Sequence, residues 1–246
     1  MSVLDEEGRE YHSHLTRGDI GRYVFLPGDP YRTDVIAKYL DNPHFVAHNR
    51  EIRSWTGTLN GEKVSVVSTG MGCPSTAITV EELIDLGADT FIRIGTAGTC
   101  KDPEDMKKYN SVICTGAVRD EGTSLQYAPI EYPAVANRFV VKALVQAAED
   151  DHVTYIDGIT HSKDAFYAEV DPDRMPIGPL LKFRWQAWQK GNVVCSEMES
   201  AALFVISSIR GCRAGSIMNW QDMDKTITVA CDAVRKLIAL DKKSDK

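Results

Sequence analysis

Three short glycine-bearing turns hold the residue types best suited to binding an anion, and each follows an apolar stretch typical of a β-strand. They are PGDPYR (27–32), TGMGCPST (69–76) and FIRIGTAG (91–98). Glycine lets a ligand approach main-chain N–H groups, and arginine offers a two-pronged donor to phosphate oxygens. The carboxyl ends of strands are where open α/β sheets bind ligands, so we expect the turns to line one such edge.

Arg93 interrupts an apolar strand between Ile92 and Ile94. A buried guanidinium group is costly unless an anion pairs with it, so the sequence predicts an anionic partner. That partner is either a protein carboxylate or a phosphate ligand. The small residues Gly95 and Thr96 follow directly and favour the ligand.

The first turn places Gly28 and Arg32 just after a strand. One interpretation is an anion site in which Arg32 grips phosphate oxygens. The other is an ordinary proline-rich turn, because the carboxylate of Asp29 would repel a phosphate. The turn alone leaves both open.

The stretch EMES (197–200) lies where a strand becomes a helix. Glu197 and Glu199 are two residues apart and cannot share a helix face, so a paired-carboxylate or metal site is not indicated. Glu199 has two open roles, which are dipole stabilisation at a helix N-terminus and acceptance of hydrogen bonds from the vicinal hydroxyls of a sugar. In the second role Met198 would lie against the sugar.

The elements that must position these residues alternate between β-strands and helices, which predicts an α/β fold with a mainly parallel sheet between helix layers. The length of 246 residues fits one domain, 1–246. The predicted strands are 23–27, 64–69, 91–96, 111–118, 154–160, 192–196 and 213–218, and the predicted helices are 33–40, 75–86, 134–149, 178–190, 199–209 and 222–240.

Composition limits the possible partners. Hydrophobic residues make up 43% of the chain and charged residues 26%, as in soluble globular enzymes, and the net charge is −7. An acidic protein is not attracted as a whole to nucleic acid or to an anionic membrane, so neither is expected as a partner. The N-terminal stretch has no apolar signal-peptide core, and no apolar run is long enough to span a bilayer, so we expect a cytoplasmic location.

Several classes of active site have no sequence support. The H-E-x-x-H motif of zinc sites does not occur, so no metal is expected. The serine-hydrolase elbow, the P-loop and the dinucleotide-binding glycine pattern are also absent.

The connection after the strand at 213–218 is unusually short. Only Asn219, Trp220 and Gln221 separate it from the last predicted helix. Three residues are few for a strand-to-helix connection, so either the design is compact or a segment is missing near Met218–Asn219.

Five stretches occur in an order and spacing that resembles the nucleoside phosphorylase-I family, most closely its uridine phosphorylase branch. They are LPGDPYR, AHNREIRSW, VVSTGMGCPSTAITVEEL, FIRIGTAGT and SEMESAAL. The resemblance runs from about His12 to Leu240. It implies a three-layer α/β/α fold whose twisted, mixed sheet is partly closed as a barrel.

The resemblance also implies a phosphate site. The residues that match the family's phosphate-binding positions are Gly28, Arg32, Arg93 and Thr96. Arg50 matches an arginine that reaches the site of a neighbouring subunit. Arg32, Arg50 and Arg93 would serve catalysis by position and charge, and Arg93 would be unpaired in the free protein because its partner is the substrate.

The ribose site implied by the resemblance pairs Met198 with Glu199. A histidine of the N-terminal arm would cap the ribose 5′-hydroxyl across the subunit interface. His12 fits this role by position, and His14 is its rival. The expected partners are a nucleoside, inorganic phosphate and further copies of the chain, as a dimer or a trimer of dimers.

The implied reaction is reversible phosphorolysis of uridine to uracil and ribose 1-phosphate, without a cofactor. A purine nucleoside phosphorylase is one alternative, although no Ser-Asp pair follows the strand ending near Met218 as in the purine branch. A catalytically silent nucleoside-binding relative is another. The converging arginines argue against a nucleosidase, which uses water.

Base recognition is where the sequence departs from the uridine branch. That branch reads uracil with a glutamine and an arginine, whereas SKDAFYAEVDPDRMP (162–176) offers Glu169 and Arg174. An ionised glutamate only accepts hydrogen bonds, so a protonated Glu169 or a different donor would be needed. Phe166 is either a stacking wall for the base or a core aromatic, and Glu197 is the remaining candidate base contact.

Overall fold

The computed structural model describes residues 3–244, in which eleven β-strands form one sheet flanked by eight helices. The strands are β1 (Tyr23–Leu26), β2 (Asp41–Asn49), β3 (Ile52–Leu59), β4 (Glu62–Val67), β5 (Thr90–Thr96), β6 (Gly98–Thr99), β7 (Ser111–Asp120), β8 (Ala134–Val135), β9 (Tyr155–Lys163), β10 (Cys195–Glu197) and β11 (Arg213–Asn219). The helices are α1 (Arg32–Ala37), α2 (Cys73–Asp85), α3 (Pro103–Met106), α4 (Arg138–Asp150), α5 (Phe166–Val170), α6 (Gly178–Lys190), α7 (Ser200–Ile209) and α8 (Met223–Ser244).

The sheet is mixed, as predicted. Its order is β2-β3-β4-β1-β5-β11-β7-β9-β10-β6, and β8 pairs with β7. Strands β4, β1, β5 and β11 are parallel to one another, as are β7, β9 and β10, and the two blocks meet in an antiparallel pair between β11 and β7. β6 lies at the far end of this path, yet it begins two residues after β5 ends. The sheet therefore curls back towards its own centre, which agrees with the expected partly closed barrel.

Alternating side chains divide the core into two layers. In β1, Val24 and Leu26 belong to the cluster with α2 and α7, whereas Tyr23 and Phe25 belong to the cluster with α4 and α8. This alternation is the period of two expected of a strand that is covered on both faces. In β5, Phe91 packs in the α2 and α7 layer, so Arg93, two residues later, points to the same side. The strand thus presents Arg93 to the N-terminus of α7.

Four strands were missed from the sequence, namely the two-residue strands β6 and β8 and the longer pair β2 and β3. Strand β3 was missed because its inward face is polar. Ser54 and Thr56 of β3 are buried, and the Thr56 hydroxyl donates to the Asp19 carbonyl at 2.8 Å. Hydrogen-bonded polar residues replace the apolar alternation that marks a strand, and the paired β2 is largely exposed.

The predicted start of α4 was also wrong. The helix expected from Ala134 begins at Arg138, and Ala134–Val135 form β8 instead. Asn137 sets the boundary because its side chain accepts a hydrogen bond from the Phe139 N–H at 3.0 Å. Such a cap satisfies one of the free donors at the start of a helix.

The short connection between β11 and α8 is closed by Asn110. Its carbonyl accepts from the Trp220 N–H at 2.9 Å, and its side-chain oxygen accepts from the Asp222 N–H at 3.1 Å. The Asp222 carboxylate in turn accepts from the Asp224 N–H at 3.0 Å. Hydrogen bonds to Asn110 therefore anchor the three residues between strand and helix.

None of the helices within the described part of the chain combines the length and the apolar character needed to cross a bilayer.

Candidate active site

A cavity of about 950 Å³ lies where the glycine-bearing turns meet the curled end of the sheet. Turns after β1, β4 and β5 line one side, and residues of α5 and β10 line the other. It brings together nine of the residues predicted for the site: Gly28, Arg32, Arg93, Thr96, Phe166, Glu169, Glu197, Met198 and Glu199. The expectation that the turns share one edge is confirmed.

The second turn needs glycine for two reasons. Gly70 has a φ of +69°, and a Cβ on it would lie 2.5 Å from Cγ of Glu51. Gly72 has a φ of +91°, and its N–H donates to Oε1 of Glu199 at 2.7 Å. Side chains rarely adopt such backbone angles, so glycine is what allows the turn to reach the carboxylate.

Arg93 is buried, with 4% of its surface exposed, and it has a protein partner. Its Nη2 donates to Oε2 of Glu199, and its Nε lies 3.4 Å from Oε2 of Glu197. The expectation that Arg93 is unpaired in the free protein is therefore wrong, because α7 begins directly opposite β5. The Nη1 group makes no hydrogen bond to any residue in the range 3–244, and a Cβ on Gly28 would lie 3.9 Å from it. One edge of the guanidinium group thus remains for an anion at the first turn.

Arg32 lines the same cavity and is close enough to Arg93 for their charges to interact. Burial lowers the pKa of Arg32, the opposing charge of Asp29 raises it, and the charge of Arg93 lowers it further. Asp29 uses Oδ1 to accept the Tyr31 N–H at 2.9 Å, which stabilises the turn. Among residues 3–244 no carboxylate lies within ion-pair distance of Arg32. Two cations therefore converge, and Arg32 is the one without an ion pair at contact distance among residues 3–244.

The two glutamates of the EMES stretch have different environments. Glu197 accepts from the N–H groups of Glu199 and Ser200, each at 2.9 Å, and from the hydroxyls of Ser162 and Ser200. These contacts cap the start of α7 and occupy both oxygens, which favours a structural role over the predicted base contact. Glu199 faces Arg93, and burial, reinforced by the charge of Glu197 and opposed by that of Arg93, raises its pKa.

The wall opposite the arginines is built around Glu169. One of its oxygens lies 3.1 Å from Nζ of Lys163, and the other accepts the Ser196 hydroxyl at 2.6 Å and lies 3.3 Å from Nδ1 of His161. Burial alone would raise the pKa of Glu169, but His161, Ser196 and Lys163 lower it below its ordinary value. Glu169 is therefore a carboxylate at neutral pH. Of the two possibilities for base recognition, the geometry favours a different donor over a protonated Glu169.

Phe166 belongs to this wall and not to the core. It is 51% exposed and lines the cavity, so the interpretation as a core aromatic is wrong. Its ring centroid is 5.9 Å from Nζ of Lys163. A flat ligand stacked on the ring would therefore have its edge near the ammonium group.

Three predicted site residues lie outside this cavity. The side chain of Arg174 is 72% exposed and lies 3.8 Å from Asp171, so the fold does not bring it to the predicted base contact. Arg50 is exposed at the turn between β2 and β3, with a φ of +52°. His12 pairs through Nδ1 with Glu82 of α2 at 2.7 Å, and its rival His14 lies 4.0 Å from Asp5. The predicted roles of Arg50 and His12 in a neighbouring subunit stay predictions.

Comparison with known proteins places the chain in a family. The family model described as the phosphorylase superfamily matches residues 22–235. This chain belongs to the phosphorylase superfamily. It is 47% identical to a uridine phosphorylase of Treponema pallidum (98% of this chain, 99% of the relative) and 43% identical to a uridine phosphorylase of Thermococcus kodakarensis (86% and 76%). It is also 38% identical to a guanosine phosphorylase of Halorubrum lacusprofundi (85% and 81%).

This phosphorylase-superfamily chain contains site residues that the sequence analysis missed. Lys163, Ser196 and His161 all contact Glu169, but none was singled out. The predicted strand ended at Thr160, whereas β9 continues to Lys163. The available signal was the polar HSK run that extends a strand towards the FY pair, which places a lysine at the cavity rim.

Proposed function

We propose that this protein is a uridine phosphorylase, which transfers the ribosyl group of uridine to inorganic phosphate and releases uracil. Two observations of different kinds support this proposal. The chain is similar over 98% of its length to a uridine phosphorylase, and its cavity joins an anion-binding edge to a carboxylate and an aromatic wall.

The main structural support for the proposal is that Arg32 and Arg93 converge beside Gly28. A phosphate dianion between the free edge of Arg93 and Arg32 would relieve their mutual repulsion and fill the unused donor Nη1. Thr96 lies at the end of β5 in the same cavity, where its hydroxyl can complete the set of donors. The protein carries a net charge of −7, so the anion is captured by these local groups and not by the overall field.

Ribose fits between the phosphate edge and the aromatic wall. Glu199 lies beside Arg93, and its carboxylate can accept hydrogen bonds from the two vicinal hydroxyls. Met198 lines the cavity next to it and provides an apolar surface for the sugar ring.

The proposed reaction breaks the bond between C1′ of ribose and N1 of uracil, and both bonding electrons leave with the base. A phosphate oxygen then forms the new bond to C1′, giving ribose 1-phosphate and the uracil anion, which takes a proton from water. The ribosyl group carries positive charge in the transition state, and the bound phosphate stabilises that charge. Inorganic phosphate is a co-substrate, and these steps call for no cofactor and no covalent enzyme intermediate.

We also propose that the sites are completed across a subunit interface. Arg50 and His12 lie outside the cavity of their own chain, and the Asn49 amide links their segments by donating to the His12 carbonyl at 2.8 Å. From this one surface, Arg50 could then reach the phosphate and His12 the ribose in a partner's site. A cytoplasmic location accords with six free cysteines, five of them buried.

Guanosine phosphorolysis is the second candidate. A guanosine phosphorylase is 38% identical to this chain, and uracil and guanine both present a C=O group next to a ring N–H. The ionised Glu169 is suited to accept from either N–H group.

One assay separates the candidates. The protein is incubated with uridine or guanosine, with and without phosphate, and free base and ribose 1-phosphate are measured. Phosphate-dependent release of uracil, faster than that of guanine, is the expected result. Faster guanine release would favour the second candidate, and base release without phosphate would indicate hydrolysis. No release from either nucleoside would contradict phosphorolysis and favour a silent binding protein.

A further inference from the structure

Lys163 is a buried lysine at the end of β9, in the wall between two cavities. It is 7% exposed, and it lines both the main cavity and a second cavity of about 410 Å³ beneath α6. A lysine is rarely buried without a specific partner, because the ammonium group loses its hydration. Packing alone therefore does not explain why a lysine occupies this place in the wall.

The ammonium group of Lys163 has one donor to spare. It donates to the Ser196 hydroxyl at 2.8 Å and lies 3.1 Å from Oε1 of Glu169. An ammonium group carries three protons, so one remains after these two contacts. Phe166, 5.9 Å away, marks the side of the main cavity on which a flat ring can stack.

Glu169 has an acceptor position to spare. A carboxylate offers about four lone-pair sites, and Lys163, Ser196 and His161 occupy three of them. The wall thus presents a cationic donor and an anionic acceptor side by side.

Charged residues that line the second cavity support the Lys163–Glu169 pair from the side of α6. His161 lies 2.9 Å from Asp120 through Nε2, and Asp120 accepts from Arg184 of α6. The chain Arg184, Asp120, His161, Glu169, Lys163 alternates basic and acidic groups, so each has an opposite partner when His161 is protonated. Such a network fixes the geometry of the two groups that face the main cavity.

We propose that Lys163 and Glu169 read the base, Lys163 by donating to a ring carbonyl and Glu169 by accepting from the adjacent ring N–H, and that Lys163 stabilises the negative charge of the departing base. The inference rests on the proposed function and assigns the base recognition that Arg174 does not supply. The bond electrons leave with the base, and much of their charge reaches the carbonyl oxygens. A hydrogen bond from a cationic donor to such an oxygen is stronger in the transition state than in the bound substrate. Only interactions of this kind accelerate the chemical step.

The pair also predicts specificity. Uracil offers two carbonyls that flank one ring N–H, whereas cytosine keeps only one of these carbonyls, has an amino group in place of the other and has a bare ring nitrogen in place of the N–H. Cytosine would set its bare ring nitrogen against the carboxylate of Glu169 and leave Glu169 without a proton to accept. A site built to hydrogen-bond one pattern rejects the reversed pattern strongly.

The test compares wild-type protein with Lys163→Met and Lys163→Gln. The matched control is Lys182→Met, because Lys182 lines the second cavity only and is exposed, paired with Asp173. The kcat/KM values for uridine, cytidine and 5-fluorouridine and the KM for phosphate are measured, together with the melting temperature. Fluorine makes the departing base anion more stable, so 5-fluorouridine needs less help from Lys163.

Three results are expected. Wild-type protein prefers uridine to cytidine by about 1000-fold or more. Lys163→Met lowers kcat/KM for uridine by about 100-fold, and less for 5-fluorouridine, while the KM for phosphate stays within about twofold. Lys163→Gln retains a neutral donor, so its kcat/KM for uridine lies between the values of the wild type and Lys163→Met. It remains folded even if Lys163→Met does not.

Equal losses for uridine and 5-fluorouridine in a folded variant would overturn the catalytic role, and equal use of uridine and cytidine by the wild type would overturn base reading. If the wild type releases no base from any nucleoside, the proposed function fails. Base reading is then decided by calorimetric titration with uracil and cytosine in the presence of phosphate. Preferential uracil binding that Lys163→Met abolishes would support it, and equal binding of both bases would overturn it.

Discussion

Arg93 in β5 and Glu199 at the start of α7 form a buried ion pair at the wall of the cavity, 106 positions apart in the chain. The pair uses Nη2 of the guanidinium group and leaves Nη1 without a hydrogen bond to any described residue. In the proposed reaction the same pair joins the two halves of the substrate, since Arg93 faces the phosphate and Glu199 faces the ribose. Phosphate and ribose are thereby held in contact with each other.

Replacing Arg93 should therefore affect both catalysis and stability. Arg93→Ala removes a phosphate donor and leaves two buried carboxylates without their cation, so we expect phosphorolysis to fall by about 1000-fold. The free energy of unfolding should also fall by about 3–5 kcal/mol. Initial rates and urea denaturation measure the two effects. Near-normal turnover in a folded variant would show that Arg93 has only a structural role.

Glu199→Gln tests the ribose contact. The amide keeps an acceptor oxygen but loses the charge, so hydrogen bonds from the sugar hydroxyls weaken. We expect kcat/KM for uridine to fall by about tenfold more than that for 2′-deoxyuridine, which has one hydroxyl fewer. The two substrates in wild type and variant form a double-mutant cycle. Equal losses for both substrates would remove the 2′-hydroxyl from the predicted contacts of Glu199.

The network behind Glu169 predicts a pH dependence of stability. Burial alone would lower the pKa of His161, but hydrogen bonds and charge from Asp120 and Glu169 outweigh it and raise the pKa above the ordinary 6.5. Lys163 and Arg184, which also face this cluster, each pair with one of the two carboxylates. A raised histidine pKa means that the folded state binds the proton more tightly. The stabilisation is complete below pH 6.5 and is lost as the pH rises through the raised pKa.

His161→Gln measures this effect. The difference in melting temperature between wild type and variant should be largest near pH 5.5 to 6 and shrink towards about pH 9. The control is His44→Gln, which changes an exposed histidine of β2. A difference that is constant over this range, or that grows with pH, would contradict the assignment of His161 as a protonated bridge.

Local sequence predicted one edge of the cavity well because each turn directly follows an apolar strand. Gly28, Arg32 and Thr96 all line the cavity as expected. The partner of Arg93 could not be read in the same way, because the contact depends on how α7 meets β5. The sequence allowed either anion, and the structure supplies the carboxylate of Glu199 while leaving Nη1 of Arg93 without a partner among the described residues.

The wall around Glu169 was harder to predict because Lys163 and His161 come from the polar end of a strand. Lys163 continues β9 beyond the apolar run, and its partners Ser196 and Glu169 come from β10 and α5. No local pattern joins the three. The missed strand β3 has the same cause, since Ser54 and Thr56 turn hydrogen-bonded polar groups into the core.

Arg32 and Arg93 are proposed to hold one phosphate, and Arg32→Ala tests this shared site most directly because Arg32 makes no ion pair within residues 3–244. Its control is Arg22→Ala, which removes an arginine at the opposite end of β1, paired with Asp89 at 2.6 Å. The measurement is the KM for phosphate at saturating uridine. A rise of at least about tenfold for Arg32→Ala, with little change for Arg22→Ala, is the predicted result. An unchanged KM for phosphate in active Arg32→Ala protein would contradict the account.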